Sequence, residues 1–524
     1  MTTSDAPTLF APDAWTTFER NARRFGERPA IHFEDHTHTY ADLYRRAAAL
    51  ATALARRCGV EAGDRVGILA QNRPEFLELY FACARLGAII VPLGQRLAPN
   101  EIDRILGRAR PKACFADRQL VDGPAARSDR LVGFPDVTRL ADLRVEGALW
   151  YEELASGPAD DPTAERRPWP PDTPLVLVFT SGTTGAPKGV LLSQGNLVAQ
   201  AASMLMHFGL HDDDVLVQGS PMSHTTGLVQ GTQEFLIRGL PIVLLRKWTA
   251  ASVAEACRTH SASVMTGALV LVERLLEAAD ADPETAAVLR RLRVIGTGGG
   301  LHTADFDHRV MTTLDPEIYL FGYGLTETTA FAVCTGTTAA TLAREGGLGY
   351  PIWCVESRLV GEDEAAVPVG AEGELWLRGG TVTPGYFGQP ARGPAEWLPT
   401  GDIMRADEAG CLYFVSRKKD VIKTGGFNVY GSEVEAIVRE RLGSTVRDVV
   451  VVGGPSRRWG EAVVAYVVCD EELSLAQVQD AVHDDLGGYK MPKKIVRIDA
   501  IPTDYLGKVD KKELRARLSG MDIS

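Results

Sequence analysis

Residues Leu175–Gly189 read LVLVFTSGTTGAPKG. An apolar, β-prone run from Leu175 to Phe179 gives way at Thr180 to hydroxyls, glycines and one lysine, Lys188. The pattern predicts a buried strand running into a hydroxyl-rich loop. Glycine lets backbone N–H groups approach an anion closely, and Thr180, Ser181, Thr183, Thr184 and Lys188 add donors and positive charge. Such a loop cradles phosphate. It is not the ordinary P-loop, which sets Gly directly before its Lys and Ser or Thr directly after. Here Pro187 precedes Lys188 and Gly189 follows. Taken alone, the stretch also reads as a Ser/Thr/Gly turn between two strands.

Outward from this loop the chain alternates strands and helices. Upstream, YADLYRRAAALATALARR (residues 40–57) sets Leu43, Ala47, Leu50 and Leu54 on one helical face. A short strand, Arg65 to Leu69, follows Gly63 and Asp64; next comes a helix with Pro74 in its first turn and Gly87 as its stop, then a strand from Ile89 to Leu93. Strand, helix, strand is a βαβ unit with parallel strands. The pattern recurs around residues 213–245 and 262–320, whereas 121–172, rich in charge and proline, read as a surface excursion. From about 346 to 416 short alternating strands predict a β-rich subdomain. After Ser416 another α/β unit begins, with helices SEVEAIVRERL and SLAQVQDAVHDDL around strands DVVVVGG and AVVAYVVC. No internal repeat or low-complexity segment interrupts the order.

A chain of 524 residues is too long for one core, so at least two domains are expected. Hydrophobic content of 45% and charged content of 24% are those of a soluble globular protein. A net charge of −12 argues against a nucleic-acid-binding surface, so an anionic ligand must be held by local charge. The cysteines at 58, 83, 114, 257, 334, 354, 411 and 469 form no CxxC pair or Cys/His cluster, which predicts free thiols and no zinc site. The N-terminus lacks a basic start followed by an apolar run, and no stretch approaches a bilayer-spanning length. A cytoplasmic protein is expected.

Four further motifs follow in order: FGYGLTETT (Phe321–Thr329), PTGD (Pro399–Asp402), SRKKDVIKTGGFNVYGSEVE (Ser416–Glu435) and YLGKVDKKELR (Tyr505–Arg515). With TSGTTGAPKG they resemble the ordered core motifs of the adenylate-forming (AMP-binding) superfamily, which includes acyl-CoA synthetases, adenylation domains of peptide synthetases and luciferases. The resemblance runs from about Tyr40 to Leu518. It implies an α/β fold: a large N-terminal domain of α/β subdomains plus the β-rich subdomain (1–416), a hinge (417–420), and a small mobile α+β C-terminal domain (421–524) carrying Lys508. It also implies a ligase that adenylates a carboxylic acid with ATP and Mg²⁺ and passes the acyl group to CoA. Phosphoryl-type chemistry of this kind is catalysed mainly by positioning and charge neutralisation.

By the same resemblance, Thr180, Ser181, Gly182, Thr183, Thr184 and Lys188 hold the β- and γ-phosphates, Thr326 touches the α-phosphate and Glu327 binds Mg²⁺. Tyr323, within Phe321, Gly322 and Gly324, covers one face of the adenine, and Gly298, Gly299 and Gly300 the other. Asp402 takes the ribose hydroxyls, backed by Arg417. Lys508 pairs with the charge developing during adenylation. Lys419 is the hinge residue, so that rotation exchanges Lys508 for the segment around Gly425 and Gly426, which opens a passage for pantetheine. His224 lines the channel between acyl group and thiol, Lys247 meets CoA phosphates, and Thr226, Gly227, Gly267, Gly298, Gly322 and Ala330 complete the acyl pocket.

Two segments depart from the family pattern. MTGALVLV carries Gly267 where relatives usually have proline, and GTGGGL (Gly296–Leu301) replaces a small residue, Gly, Ala, Ala, Pro. The missing methyls and ring predict a wide apolar pocket for a bulky, branched or cyclic acid. No charged residue from His224 to Phe235 suits an α-amino group. Competing readings are an enzyme that loads a carrier-protein thiol, one that performs a single half-reaction, and a catalytically silent nucleotide- or acyl-CoA-binding protein. Joint retention of Lys188, Glu327, Asp402 and Lys508 argues against silence. Pairing as a homodimer stays open.

Overall fold

The computed structural model describes residues 13–94, 97, 99–117, 131–133, 149–159, 168–180, 188–300, 302–424, 427–486, 488–503 and 509–523. Ser181, Gly182, Thr183, Thr184, Gly425, Gly426 and Lys508 lie outside the described residues. The chain divides into two compact units, Met1–Glu356 with Leu377–Leu398, and Ser357–Trp376 with Pro399–Ser524.

In the first unit, one sheet runs in the order Gly385–Tyr386, Lys188–Ser193, Pro174–Thr180, Ile89–Leu93, Arg65–Leu69, Ala113–Ala116, Leu131–Gly133 and Leu149–Trp150. The helix Tyr40–Cys58 begins where Thr39 and Asp42 cap each other's backbone and stops where Gly59 turns left-handed at φ 64°. Leu43, Ala47, Leu50 and Leu54 are all fully buried along it. The βαβ unit stands as expected, with Arg65–Leu69 parallel to Ile89–Leu93 and Gly87 ending the helix between them at φ 67°. Residues 121–172 depart from a plain surface excursion. Leu131–Gly133 and Leu149–Trp150 extend the sheet as parallel strands, too short to show a period in sequence.

A second sheet in this unit runs in the order Gly347–Pro351, Phe331–Cys334, Ile318–Gly324, Val294–Gly298, Val264–Ala268, Leu216–Gln218, Ile242–Leu244, Pro29–Phe33 and His36–Thr39. From Ile318–Gly324 through Pro29–Phe33, neighbours are parallel. Met265, Ile295 and Tyr319 pack one face against Leu275, Leu276 and Val310. This parallel run points six carboxyl ends the same way.

The second unit holds most of the β-rich strands Val355–Val360, Glu372–Gly379 and Leu398–Ala406, all of Leu412–Arg417 and, after the turn Lys418–Asp420, the sheet Phe427–Tyr430, Val421–Thr424, Gly460–Val468 and Asp448–Ser456. The helices Gly431–Leu442 and Leu475–Val482 bury Val434, Val438, Val478 and Val482 on one face of that sheet, and Leu514 packs on the other. Residues 417–420 thus join two sheets within this unit. Around them Lys418 pairs with Glu374 at 2.9 Å, Arg515 with Asp420 at 2.9 Å, and Ser432 Oγ donates to the Val415 carbonyl at 2.5 Å.

One buried acid sets a pH dependence for folding. Glu234, in the helix Thr232–Arg238, is fully buried, and neither carboxyl oxygen has a hydrogen-bond partner among the described residues. Burial pushes its pKa up to about 8, opposed only in part by the Glu234 and Gly231 backbone N–H groups. Between the unfolded carboxyl value and about 8 the folded chain holds a proton that the unfolded chain has lost, so stability falls as pH rises through that window. Glu234→Gln is expected to flatten this fall. Thermal unfolding of both proteins from pH 5 to 9 checks it: their melting curves should converge at pH 5 and separate, with the variant higher, by pH 9.

Candidate active site

Parallel strands aim their carboxyl ends at a shared edge, and ligands of open α/β sheets bind there. Here Leu216–Gln218, Val264–Ala268, Val294–Gly298 and Ile318–Gly324 supply that edge, with Gly267 opposite Thr297 and Gly298 opposite Gly322. The segment after Gln218 is held from beneath by two buried amides. Asn72 donates to the Ser220 carbonyl at 3.0 Å and accepts from the Met222 N–H at 2.8 Å. Gln218 donates to the Gln230 carbonyl at 3.0 Å and accepts from the Ser220 N–H at 2.9 Å. This scaffold presents His224, half-buried at the start of the short helix Thr225–Leu228, and half-buried Thr226. Gly227 is buried so closely on the Pro221 carbonyl that no methyl fits. A methyl on Gly267 would stand 3.5 Å from the Ser220 hydroxyl, which ties the two segments together.

A second constellation centres on Tyr386, which sequence reasoning missed. The strands Pro174–Thr180 and Lys188–Ser193 pair so that Thr180 and Lys188 face each other where the two strands meet the 181–187 connection. Gly385–Tyr386 pairs with the outer side of this hairpin, Tyr386 opposite Val190. The ammonium of Lys188 lies 5.6 Å from the centre of the Tyr386 ring, and the Tyr386 hydroxyl donates to Glu327 Oε1 at 3.1 Å. Burial, helped by the Glu327 charge, pushes the Tyr386 phenol up to about 12, so it remains a donor at neutral pH. Tyr386 therefore draws together the lysine and the acid of two motifs far apart in sequence. The only local signal is a tyrosine in a glycine-flanked turn, PGYFG (Pro384–Gly388), which by itself marks nothing.

Glu327 sits in the tight turn Thr326–Thr328, whose backbone is pinned from outside. Its carbonyl accepts from the Thr383 N–H at 2.8 Å. Thr329 stands at φ 70°, a region costly for a β-branched residue, and its hydroxyl donates to the Thr381 carbonyl at 2.6 Å. Ala330 is buried.

The glycines have three different reasons. A methyl on Gly298 would strike the Gly322 carbonyl, and one on Gly322 would meet the Phe331 ring at 2.7 Å. Gly299 stands at φ 81° with nothing within 4 Å, and Gly300 would make ordinary contact with Leu269 at 3.7 Å. The expectation that missing methyls leave space therefore holds at Gly299 and Gly300 and is corrected at Gly298, where the Gly322 carbonyl occupies the volume. At Gly267 a methyl would press on Leu271 at 3.0 Å. Sequence reveals an absent side chain but not what has moved into its place.

In the second unit, Asp402 is 3% exposed and faces Arg417 across the ladder between Leu398–Ala406 and Leu412–Arg417. Arg417 Nε lies 3.4 Å from Asp402 Oδ1. Arg417 and Lys419 are exposed. In the first unit Lys247 is also exposed, after the strand Ile242–Leu244.

The three adjacent glycines yield a ranking. Gly298→Ala is expected to be the most destabilising, since overpacking against backbone costs about 1–3 kcal/mol or more. Gly299→Ala should cost about 1–2 kcal/mol through its left-handed backbone alone. Gly300→Ala should be nearly neutral. Chemical denaturation of the three variants checks the order, and a Gly300→Ala loss as large as that of Gly298→Ala would contradict this packing.

Comparison with known proteins agrees with the geometry. The AMP-binding enzyme model matches residues 18–387, and the AMP-binding enzyme C-terminal domain model matches residues 425–508. An indoleacetate–CoA ligase from Aromatoleum aromaticum is 34% identical over 509 residues, covering 95% of this chain and 96% of that protein. A feruloyl-CoA synthase from an Amycolatopsis species is 32% identical over 517 residues, covering 95% and 97%. The crystal structure of ATP-bound MatB from Rhodopseudomonas palustris superposes with a TM-score of 0.84 at 27% identity, covering 97% of this chain and 99% of that one. Among the described residues no helix is long and apolar enough to cross a membrane, and all the cysteines are free. On both sequence and structure, the chain belongs to the AMP-binding, adenylate-forming enzyme family.

Proposed function

We propose that this enzyme is an AMP-forming acid–thiol ligase acting on an aromatic or otherwise cyclic carboxylic acid, with ATP, Mg²⁺ and CoA. The observation that carries the reading is the convergence of Lys188, Tyr386 and Glu327 beside the glycine-ended strands. The acid class is supported by the two relatives, which by name act on indoleacetate and form feruloyl-CoA. Openness at Gly299 and Gly300 agrees with it. Glu234, in the stretch after His224, is kept neutral by burial below about pH 8 and supplies no anion for an amino group.

In this reading a carboxylate oxygen of the acid attacks the α-phosphorus of ATP, and pyrophosphate leaves. The loop from Thr180 through Ser181, Gly182, Thr183 and Thr184 to Lys188 holds the departing phosphates, Thr326 the α-phosphate, and Asp402 with Arg417 the ribose. Lys508 neutralises the developing charge. The CoA sulfur then attacks the acyl carbon and AMP leaves, with His224 lining the thiol's approach and Lys419, Gly425, Gly426 and Lys247 serving the CoA side. Glu327 fits a hard cation: it is half-exposed, and Tyr386 orients one of its oxygens. When bound, Mg²⁺ supplies charge neutralisation. A cytoplasmic site of action is part of the same reading.

Pyrophosphate release across a panel of acids, with and without CoA and with mass spectrometry of the products, tests this function. Aryl acids should outpace short linear ones, and acyl-CoA should form only with CoA present. No pyrophosphate from any acid, or acyl-AMP that CoA fails to discharge, would contradict it. Within that assay, Lys508→Ala should abolish adenylation yet still convert supplied acyl-AMP to acyl-CoA. Tyr386→Phe keeps the ring beside Lys188 and removes the bond to Glu327. Losing a hydrogen bond to a charged group costs about 1.5–3 kcal/mol, so kcat/KM should fall about 10- to 150-fold. A Tyr386→Phe enzyme at full rate would remove Tyr386 from the site.

A further inference from the structure

Just past the glycine run, His302 is fully buried and makes two hydrogen bonds. Its Nδ1 lies 2.6 Å from Asp307 Oδ2, and its Nε2 lies 2.8 Å from the backbone carbonyl of Gly347. Both partners are acceptors: a carbonyl cannot donate, and the oxygens of a carboxylate only accept, Asp307 Oδ2 facing His302 while Oδ1 accepts from the Tyr319 hydroxyl at 2.7 Å. Either neutral tautomer would turn a ring lone pair toward an oxygen. Only the imidazolium, with a proton on each nitrogen, satisfies both contacts.

The ring also packs on Phe321, with centroids 4.1 Å apart. Alternate residues of a strand share a face, so Tyr319, Phe321 and Tyr323 line one side of Ile318–Gly324. Tyr319 hydrogen-bonds Asp307, His302 stacks on Phe321, and Tyr323 is next along that side. The strand is pinned as well: the Thr335 hydroxyl accepts from the Phe321 N–H at 3.0 Å, and the Thr341 hydroxyl donates to the Tyr319 carbonyl at 3.1 Å. The groups facing His302 are Asp307 from the helix Ala304–Arg309, Tyr319 from the strand, and Glu345 from the connection before Gly347–Pro351. Burial lowers the imidazole's proton affinity, but the bonds to Asp307 and Gly347 and the charges of Asp307 and Glu345 outweigh it, leaving the pKa raised.

We propose that His302 is a positioning residue for the nucleotide: as an imidazolium clamped between Asp307 and Gly347, it holds the exit of the Gly298–Gly300 run against the face that ends in Tyr323. The inference rests on the reading above, in which adenine lies between that run and Tyr323. Deprotonation sets a lone pair against an oxygen, loosens the run and weakens ATP binding without touching the acid. Nothing in the motif pattern marks His302, because the histidine acquires its role from Asp307, Tyr319 and Gly347.

Calorimetric titration of ATP into the full-length enzyme without acid, from pH 6 to 9, tests the proposal, alongside His302→Phe, Asp307→Asn and the KM for the acid. Wild-type affinity should weaken as pH rises above the ordinary histidine range of about 6.5, relative to a flat His302→Phe reference in which titration of ATP itself cancels. Affinity in His302→Phe should be lower by about tenfold, the loss expected for hydrogen bonds to a charged group, with the acid KM nearly unchanged. Asp307→Asn removes the charge that holds the imidazolium and should move the wild-type transition to lower pH. ¹⁵N-histidine NMR of the intact chain gives a readout independent of catalysis: one imidazolium signal should persist above pH 7 and be absent in either variant. Equal pH dependence in wild type and His302→Phe, an acid KM that shifts as far as ATP affinity, or a neutral His302 at pH 7 would overturn the proposal. A wild-type enzyme that binds no ATP at all would instead overturn the nucleotide reading beneath it.

Discussion

The Gly322 carbonyl lies so close to the α-carbon of Gly298 that no side chain can come between them. That contact lets the strands Val294–Gly298 and Ile318–Gly324 run in register to their very ends. The end of one strand delivers the glycine run, and the end of the other delivers Tyr323 and then the turn bearing Glu327. A methyl on Gly298 would push these two edges apart, and one on Gly322 would drive its strand against the Phe331 ring. Phe331 closes the opposite side of the same contact, so the glycines belong to close packing before they belong to chemistry.

Around that contact the enzyme places groups that are costly to fold. Thr329 stands in a left-handed backbone region and Glu234 is buried without a hydrogen-bond partner among the described residues. The His302 imidazolium sits in the interior with Asp307 and Tyr319. Two of them are held by a neighbour from another segment, Thr329 by the Thr381 carbonyl and His302 by the Gly347 carbonyl. Preorganisation of this kind suits phosphoryl chemistry, where catalysis consists mainly of holding charge in the right place.

Much of this was legible in the chain, and the exceptions share a cause. The helix Tyr40–Cys58, its caps and its buried Leu43, Ala47, Leu50 and Leu54 follow from periodicity and local capping chemistry. The βαβ unit follows from Gly87 and the apolar strands beside it. Membership of the family was legible because motifs of adjacent residues, such as TSGTTGAPKG and FGYGLTETT, carry their own context. Tyr386 was not, since its meaning comes from Lys188 and Glu327, which meet it only after the sheet has formed. The same holds for His302 with Asp307, Tyr319 and Gly347. The wide-pocket expectation erred at Gly298 for a related reason: an absent Cβ in sequence says nothing about which backbone has filled its volume.

The central claim is that the site joins a carboxylate oxygen to the α-phosphorus of ATP before any thiol is acylated. The most direct measurement uses acid labelled with ¹⁸O in its carboxylate, turned over with ATP and CoA, and mass spectrometry of the nucleotide product. The account predicts AMP carrying one ¹⁸O and unlabelled pyrophosphate. Label in inorganic phosphate or pyrophosphate, or an unlabelled nucleotide, would contradict it.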